Sequence, residues 1–246
     1  MFDQPSPLVR QKMSGALFVG GAIIGFLGNA LHPHTADPVA AATVRAIAQN
    51  GAWIAIHLAI VVAILLIIGG LVGLAELLKG TAGRRLSELG LAAALLGGAI
   101  VTTSTAIDGF AMKALSVSTT GASAAESATA LRIAVAVKET DFGIWSIGML
   151  VFFGVTFACF GGAVTASRRF PGWLGWMAVL GAGGSAVAAV LQITANGEVQ
   201  AAETIFLGSS LLLTLWTLAL GVLMWRGSAD AVAGDPALAP AVARGT

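Results

Sequence analysis

The chain has 246 residues, of which 57% are hydrophobic and 10% charged, and its mean hydropathy is +0.90. A soluble globular domain carries about 25% charged residues, so the composition excludes an ordinary soluble protein. A formal net charge of +1 with no basic run likewise gives no footprint for nucleic acid.

The few charges separate six apolar stretches, each long enough to cross a hydrocarbon core about 30 Å thick at about 1.5 Å per residue. The first runs from Met13 to Leu31, between Lys12 and His32. Arg10 and Lys12 ahead of it resemble the start of a secretory signal. The run is too long for a signal core, however, and Leu31, His32, Pro33 and His34 offer no small-residue cleavage site, so the segment is expected to be retained.

Asp37 and Pro38 then form a helix-start pattern before the alanine-rich stretch that ends at Gly51, which predicts a short surface helix within Thr35 to Asn50. The second span is Ala52 to Leu78, with His57 inside it, and the third is Leu89 to Ile107, between Glu88 and Asp108. Ser123 followed three residues later by Glu126 is a capping box. It predicts a second short helix over Ala124 to Glu139 that either continues into the fourth span or bends near Asp141. The fourth span is Phe142 to Ala166, the fifth Pro171 to Asn196 and the sixth Thr204 to Trp225.

The expected fold is therefore all-α: a polytopic integral membrane protein, a six-transmembrane-helix bundle with two short extracytoplasmic helices. Residues 1–12 form an N-terminal cytoplasmic segment, 13–226 the membrane domain, and 227–246 an Ala-, Gly- and Pro-rich tail expected to be disordered.

Six crossings place both termini on one side. Arg10, Lys12, Lys79, Arg84, Arg85, Arg168, Arg169 and Arg226 cluster on that side, whereas Arg45, Lys113, Arg132 and Lys138 are spread over two longer loops on the other. The positive-inside rule makes the termini cytoplasmic, and the alanine and glycine bias suggests a bacterial chain, so a bacterial plasma membrane is the expected location. Trp53, Trp145, Trp173, Trp176 and Trp225 fall at span ends, as expected of an interfacial belt, and Trp216 alone sits deep. Gly21 with Gly25 and Gly69 with Gly73 are small-xxx-small pairs suited to close helix packing. Glu76 and Lys79 are spaced for an interfacial ion pair.

All three histidines, His32, His34 and His57, lie at the outer end, with seven of the twelve acids: Asp37, Asp108, Glu126, Glu139, Asp141, Glu198 and Glu203. Ionisable groups at membrane depth are costly unless paired or hydrated, and they usually face a cavity. An isolated acid at a span end is more often a solvated or topogenic residue, but Asp108 and His57 lie closest to the bilayer interior.

His32, His34, His57 and Asp108 together form a candidate set of three nitrogens and one oxygen for a divalent or transition metal. Haem between His32 and His57 ranks below a bare ion. Asp141, Glu139, Asn29, Gln192 and Asn196 line the expected outer pocket, with Glu203 at its rim. The hydroxyls at Thr102 to Thr105 are expected to bond back to their own helix carbonyls, and the stripe at Ser210, Thr214 and Thr217 to serve interhelical packing more than ligand contact.

The leading expectation is an outward-facing polar pocket that binds an ion or small ligand, in transport, sensing or a membrane complex. The alternatives are a membrane-embedded enzyme acting on a lipid or isoprenoid, with Asp108 or Glu203 as acid and His57 as base, and a structural accessory subunit. The expected partners are the lipid bilayer and a membrane-protein partner or a second copy of the chain. The single cysteine, Cys159, excludes an intramolecular disulfide and a cysteine metal cluster. There is no phosphate-binding Gly-x4-Gly-Lys loop, no His-Glu-x2-His and no Gly-x-Ser-x-Gly.

Overall fold

The computed structural model describes residues 6–32, 41–195 and 199–227. Among the described residues every regular element is helical: α1 (Pro7–Leu31), α2 (Ala41–Gln49), α3 (Trp53–Leu78), α4 (Arg84–Ala106), α5 (Lys113–Ser118), α6 (Ala124–Gly148), α7 (Phe157–Ser167), α8 (Gly172–Ala195) and α9 (Gln200–Trp225). Two π-turns, Ile107–Met112 and Met149–Thr156, join α4 to α5 and α6 to α7 without breaking the rod.

Six continuous helical rods are long and apolar enough to cross a membrane. They pack as a ring in chain order. α1 lies against α3, α3 against α4, α4 against the α6–α7 rod, that rod against α8, α8 against α9, and α9 closes onto α1. Short connections between antiparallel neighbours produce this arrangement.

Lipid replaces water around the ring, so large apolar residues face outward as well as inward: Leu27, Leu65, Leu96, Leu180 and Leu207 are all exposed. The interior is filled by Phe18, Leu71, Phe152, Phe157, Phe160 and Trp216. Trp216 packs edge-on against Phe18 and Phe157, with centroids 6.1 and 5.5 Å away, as expected for its deep position. Trp173, Trp176 and Trp225 are exposed at the opposite end from the histidines, where a belt requires them. Small residues set the closest approaches. A Cβ at Gly97 would stand 2.6 Å from the Phe152 backbone nitrogen, so α4 and the second π-turn touch there at a distance no other residue allows.

The third and fourth rods exceed the sequence-based boundaries. They run Arg84–Ser118 and Ala124–Ser167, 35 and 44 residues, or about 52 and 66 Å at about 1.5 Å per residue. A hydrocarbon core needs only about 20 residues. The third span does not stop at Ile107, because the π-turn carries the helix past Asp108. The helix begun by the Ser123–Glu126 capping box, with both of its bonds present, continues into the fourth span without a bend at Asp141. The surplus length projects as a helical hairpin beyond the bilayer at the histidine end.

On this hairpin rests α2, with Val44 and Ile47 buried and its C-terminus tied by a lysine. Lys113 Nζ donates to the carbonyls of Ile47, Ala48 and Asn50 at 2.7, 3.0 and 2.9 Å, completing the α2 C-terminus with a cation where the helix dipole favours one. Lys113→Met is expected to cost about 1–2 kcal/mol. It is also expected to speed amide hydrogen exchange in α2 while leaving the core of α3 unchanged. Exchange measured by mass spectrometry checks this, and equal rates in both chains would contradict it. The Asp37–Pro38 helix start and the tail from residue 228 lie outside the described residues. At the other end, Lys79 and Glu76 form the expected ion pair at 2.6 Å, exposed to solvent.

A candidate metal centre at the histidine end

Four elements converge on one buried point. His32 is the C-cap of α1, its backbone N–H still bonded to the Asn29 and Gly28 carbonyls. Trp53 and His57 occupy the first two turns of α3, four residues apart and therefore on one face. Asp108 sits in the first π-turn, where one residue more than an α-turn holds rotates the following side chains relative to α4. Such turns recur where a helix must present a functional group. Lys138 and Asp141, three residues apart, face the same point from α6.

The donor atoms lie close together. Asp108 Oδ2 is 3.1 Å from His57 Nε2 and 3.2 Å from His32 Nε2, and the two imidazole nitrogens are 3.2 Å apart. The His57 side chain is 2% exposed and that of Asp108 14%. The other Asp108 oxygen, Oδ1, accepts from Lys138 Nζ at 3.0 Å, and Lys138 also reaches Asp141 Oδ2 at 3.4 Å. Asp141 Oδ1 in turn accepts from the Ser104 hydroxyl at 2.6 Å.

Trp53 forms the wall of the cluster. Its ring lies 4.7 Å from that of His57 and 5.2 Å from that of His32, and its indole N–H donates to the Asp108 carbonyl at 3.1 Å. Trp53 is buried within this site and is not part of the interfacial belt that its position at a span end predicts.

Gly109 makes the approach of α3 possible. A Cβ there would fall 2.7 and 2.8 Å from Cβ and Cγ of His57, so only glycine lets the imidazole lie flat against the π-turn.

The protonation chemistry follows from the partners. His57 Nδ1 is 2.7 Å from the Trp53 carbonyl, which can only accept, so Nδ1 carries the hydrogen. His57 Nε2 faces a carboxylate oxygen and a second imidazole nitrogen. His32 Nε2 is donor or acceptor according to its tautomer, so either a hydrogen on that nitrogen or a cation between the three atoms satisfies the contacts.

A tetrahedral ion with bonds of about 2.0–2.1 Å to nitrogen or oxygen has ligand-to-ligand edges of about 3.3 Å. The triangle of His32, His57 and Asp108 therefore matches one face of such a polyhedron to within a small relaxation. The Nδ1 bond of His57 to a backbone carbonyl is the usual outer contact of a metal-bound imidazole. Axial ligation of haem needs its two nitrogens about 4 Å apart, twice a bond of about 2.0 Å, so the histidine pair at 3.2 Å does not suit it.

The other sequence candidates divide plainly. Asp141 joins the cluster through Lys138, as described. Glu139 is exposed on the far side of α6, and Glu203 is exposed in the first turn of α9, with no side-chain bond among the described residues. Glu203 thus makes no pair with His57, whereas Asp108, the other acid considered for an enzyme, lies 3.1 Å from it. Asn29 donates to its own helix at the Gly25 carbonyl, 3.0 Å away. Gln192 is buried and accepts from Ser146 at 3.3 Å, deeper in the ring. His34, Asn196 and Glu198 lie outside the described residues.

Thr103 and Thr105 bond back to their own helix carbonyls as expected, and Ser210, Thr214 and Thr217 do the same. Ser104 is the exception, because it supports Asp141. Lys138 and Trp53 are the site residues that the sequence reading missed. The signals available were the three-residue spacing of Lys138 from Asp141 and the four-residue spacing of Trp53 from His57.

Fold and site together define a multi-pass α-helical membrane protein with a buried histidine and carboxylate cluster at one end of a six-span ring. The chain belongs to the family described as a domain of unknown function, DUF4386, whose profile matches residues 13–227. No curated protein and no solved structure matches the chain.

Proposed function

We propose that this is a plasma-membrane protein, with both termini cytoplasmic, whose outward-facing pocket binds a divalent transition metal ion through His32, His57 and Asp108. The observation that carries the reading is the triangle of donor atoms with edges of 3.1–3.2 Å, assembled from three separate elements. Two nitrogens and one carboxylate oxygen favour zinc and its neighbours over calcium or magnesium, which prefer all-oxygen shells.

Three protein ligands leave a fourth tetrahedral position for water or an exchangeable group, the pattern of sites that exchange or activate rather than of closed structural sites. His32 and Asp108 remain partly exposed while His57 is buried, so an ion arriving from the outer medium meets the first two before the third. Uptake or sensing of a metal ion suits this arrangement. The concentration of basic residues at the opposite end supports the orientation.

Purified protein, stripped with chelator and titrated with Zn²⁺, is expected to bind one ion per chain. It should also gain about 2.7 kcal/mol of stability at a free ion concentration 100 times Kd. Metal analysis after gel filtration and thermal unfolding in detergent check both. The reading fails if Zn²⁺, Co²⁺, Cu²⁺, Mn²⁺ and Ni²⁺ neither remain bound nor raise the unfolding temperature.

A further inference from the structure

The projecting hairpin carries a second feature on the face away from the metal cluster. A groove of about 710 Å³ runs between the first π-turn and α6, walled by Ile107, Ala111, Ile133, Ala136 and Val137, with Arg132 beside its upper end. Its volume falls within the range of about 300–1,000 Å³ common for small-ligand sites. Counting about 20–25 residues of membrane span back from Ser167 leaves the Thr129–Thr140 stretch of α6 beyond the hydrocarbon core. Lipid tails therefore do not cover these apolar walls, and a contiguous apolar surface in the headgroup or aqueous zone marks a binding site.

Two further observations define the occupant. Arg132 makes no ion pair among the described residues and stands exposed at the groove with Thr129 one turn away. Its charge calls for an anionic group on the ligand. The charge of the groove also has a direction: Arg132 lies farther along the hairpin from the bilayer, whereas Ile107 lies nearest it. The eleven steps from Thr129 to Thr140 span about 16 Å at about 1.5 Å per residue, and the space between two adjacent helices is one chain wide.

We infer that this groove binds a single-chain carboxylate amphiphile, a fatty acid drawn from the outer leaflet, with its head on Arg132 and its tail running down toward the membrane between the π-turn and α6. The metal cluster faces α3 and the groove faces away from it, so the two sites are occupied independently.

The test uses full-length protein in nanodiscs with a diazirine-bearing palmitic acid and the matching palmityl alcohol, mapping adducts by peptide mass spectrometry. The acid is expected to label the segments 107–111 and 133–137 at least several-fold more than the lipid-facing residues Leu207, Leu211 and Leu215 of α9, and the alcohol several-fold less than the acid. Arg132→Gln, at an exposed position that should not affect folding, is expected to reduce acid labelling to the level of the alcohol. Ala136→Trp, which fills the groove, is expected to abolish it while Zn²⁺ content stays at the wild-type value. Labelling spread evenly over the lipid-facing surface overturns the inference, as does acid labelling that Arg132→Gln leaves unchanged. Loss of Zn²⁺ binding in wild-type protein with the labelling pattern intact counts against the metal centre alone.

Discussion

Asp108→Asn is expected to lose metal binding outright and to destabilise the protein even when no metal is present. The carboxylate serves two partners at once: Oδ2 completes the donor triangle with His32 and His57, and Oδ1 holds the Lys138 ammonium at 3.0 Å. Asparagine keeps the shape but removes the charge, so a monodentate anionic ligand becomes a weak neutral one. Loss of a single outer contact to a metal ligand already costs about 10–100-fold in affinity, and loss of the ligand itself should exceed that.

The second effect is on Lys138, whose side chain is 22% exposed. With Asp108 neutral, its remaining acid is Asp141 at 3.4 Å, itself committed to Ser104. Breaking a buried pair by removing one partner costs about 3–5 kcal/mol, and Asp141 limits the loss to the lower end. Removing both partners is less harmful than removing one, so Asp108→Asn combined with Lys138→Met should be less destabilised than the sum of the single variants. A double-mutant cycle measured by unfolding in mixed micelles is the check. Additivity within about 0.5 kcal/mol would show that the pair carries no coupling.

Gly109→Ala is expected to damage the site by adding one methyl group. A helix interior normally gains about 1 kcal/mol from this exchange. Here the new Cβ would meet Cβ and Cγ of His57 at 2.7 and 2.8 Å, and neither can retreat, because Nδ1 is tied to the Trp53 carbonyl and the ring lies against Trp53. Overpacking of this kind costs about 1–3 kcal/mol, so the net change is a loss despite the propensity gain. Moving His57 off the triangle should also weaken Zn²⁺ binding by about 10-fold or more. Gly143→Ala is the matched control, since nothing lies within 4 Å of a Cβ there, and it is expected to be neutral or slightly stabilising with full Zn²⁺ affinity. If both variants bind Zn²⁺ as the wild type does, His57 is not held where the metal reading requires.

The architecture was legible in the sequence because crossing a bilayer imposes length and apolarity on a segment, and neither depends on its neighbours. The run from Ala52 to Leu78 could hardly be anything else, and the observed helix begins one residue later. The elements that were misjudged are those whose extent depends on packing. Asp108 looked like the charge that ends the third span, yet it is accommodated within the rod because His32, His57 and Lys138 surround it. The prominence of His57 and Asp108 could be seen from their depth alone. The parts played by Trp53 and Lys138 could not, because a tryptophan at a span end and a lysine near one are the commonest residues in those places. Glu203 shows the converse, being a conspicuous acid at a helix start that stays exposed and makes no side-chain bond among the described residues.

The π-turn at Ile107–Met112 is an α-helix with one residue more than its hydrogen-bond ladder needs. That surplus residue lets a single rod aim Asp108 at α3 and, a turn later, aim Lys113 at the end of α2. Excising one residue would restore a regular α-helix and rotate everything beyond the cut by about 100°. The span would still cross the bilayer, but the relative aim of those two side chains would be lost. A substitution scan changes composition and leaves register intact, so it is blind to this determinant. A one-residue gap in this stretch is therefore the sequence difference that would separate a bundle carrying the cluster from the same bundle without it.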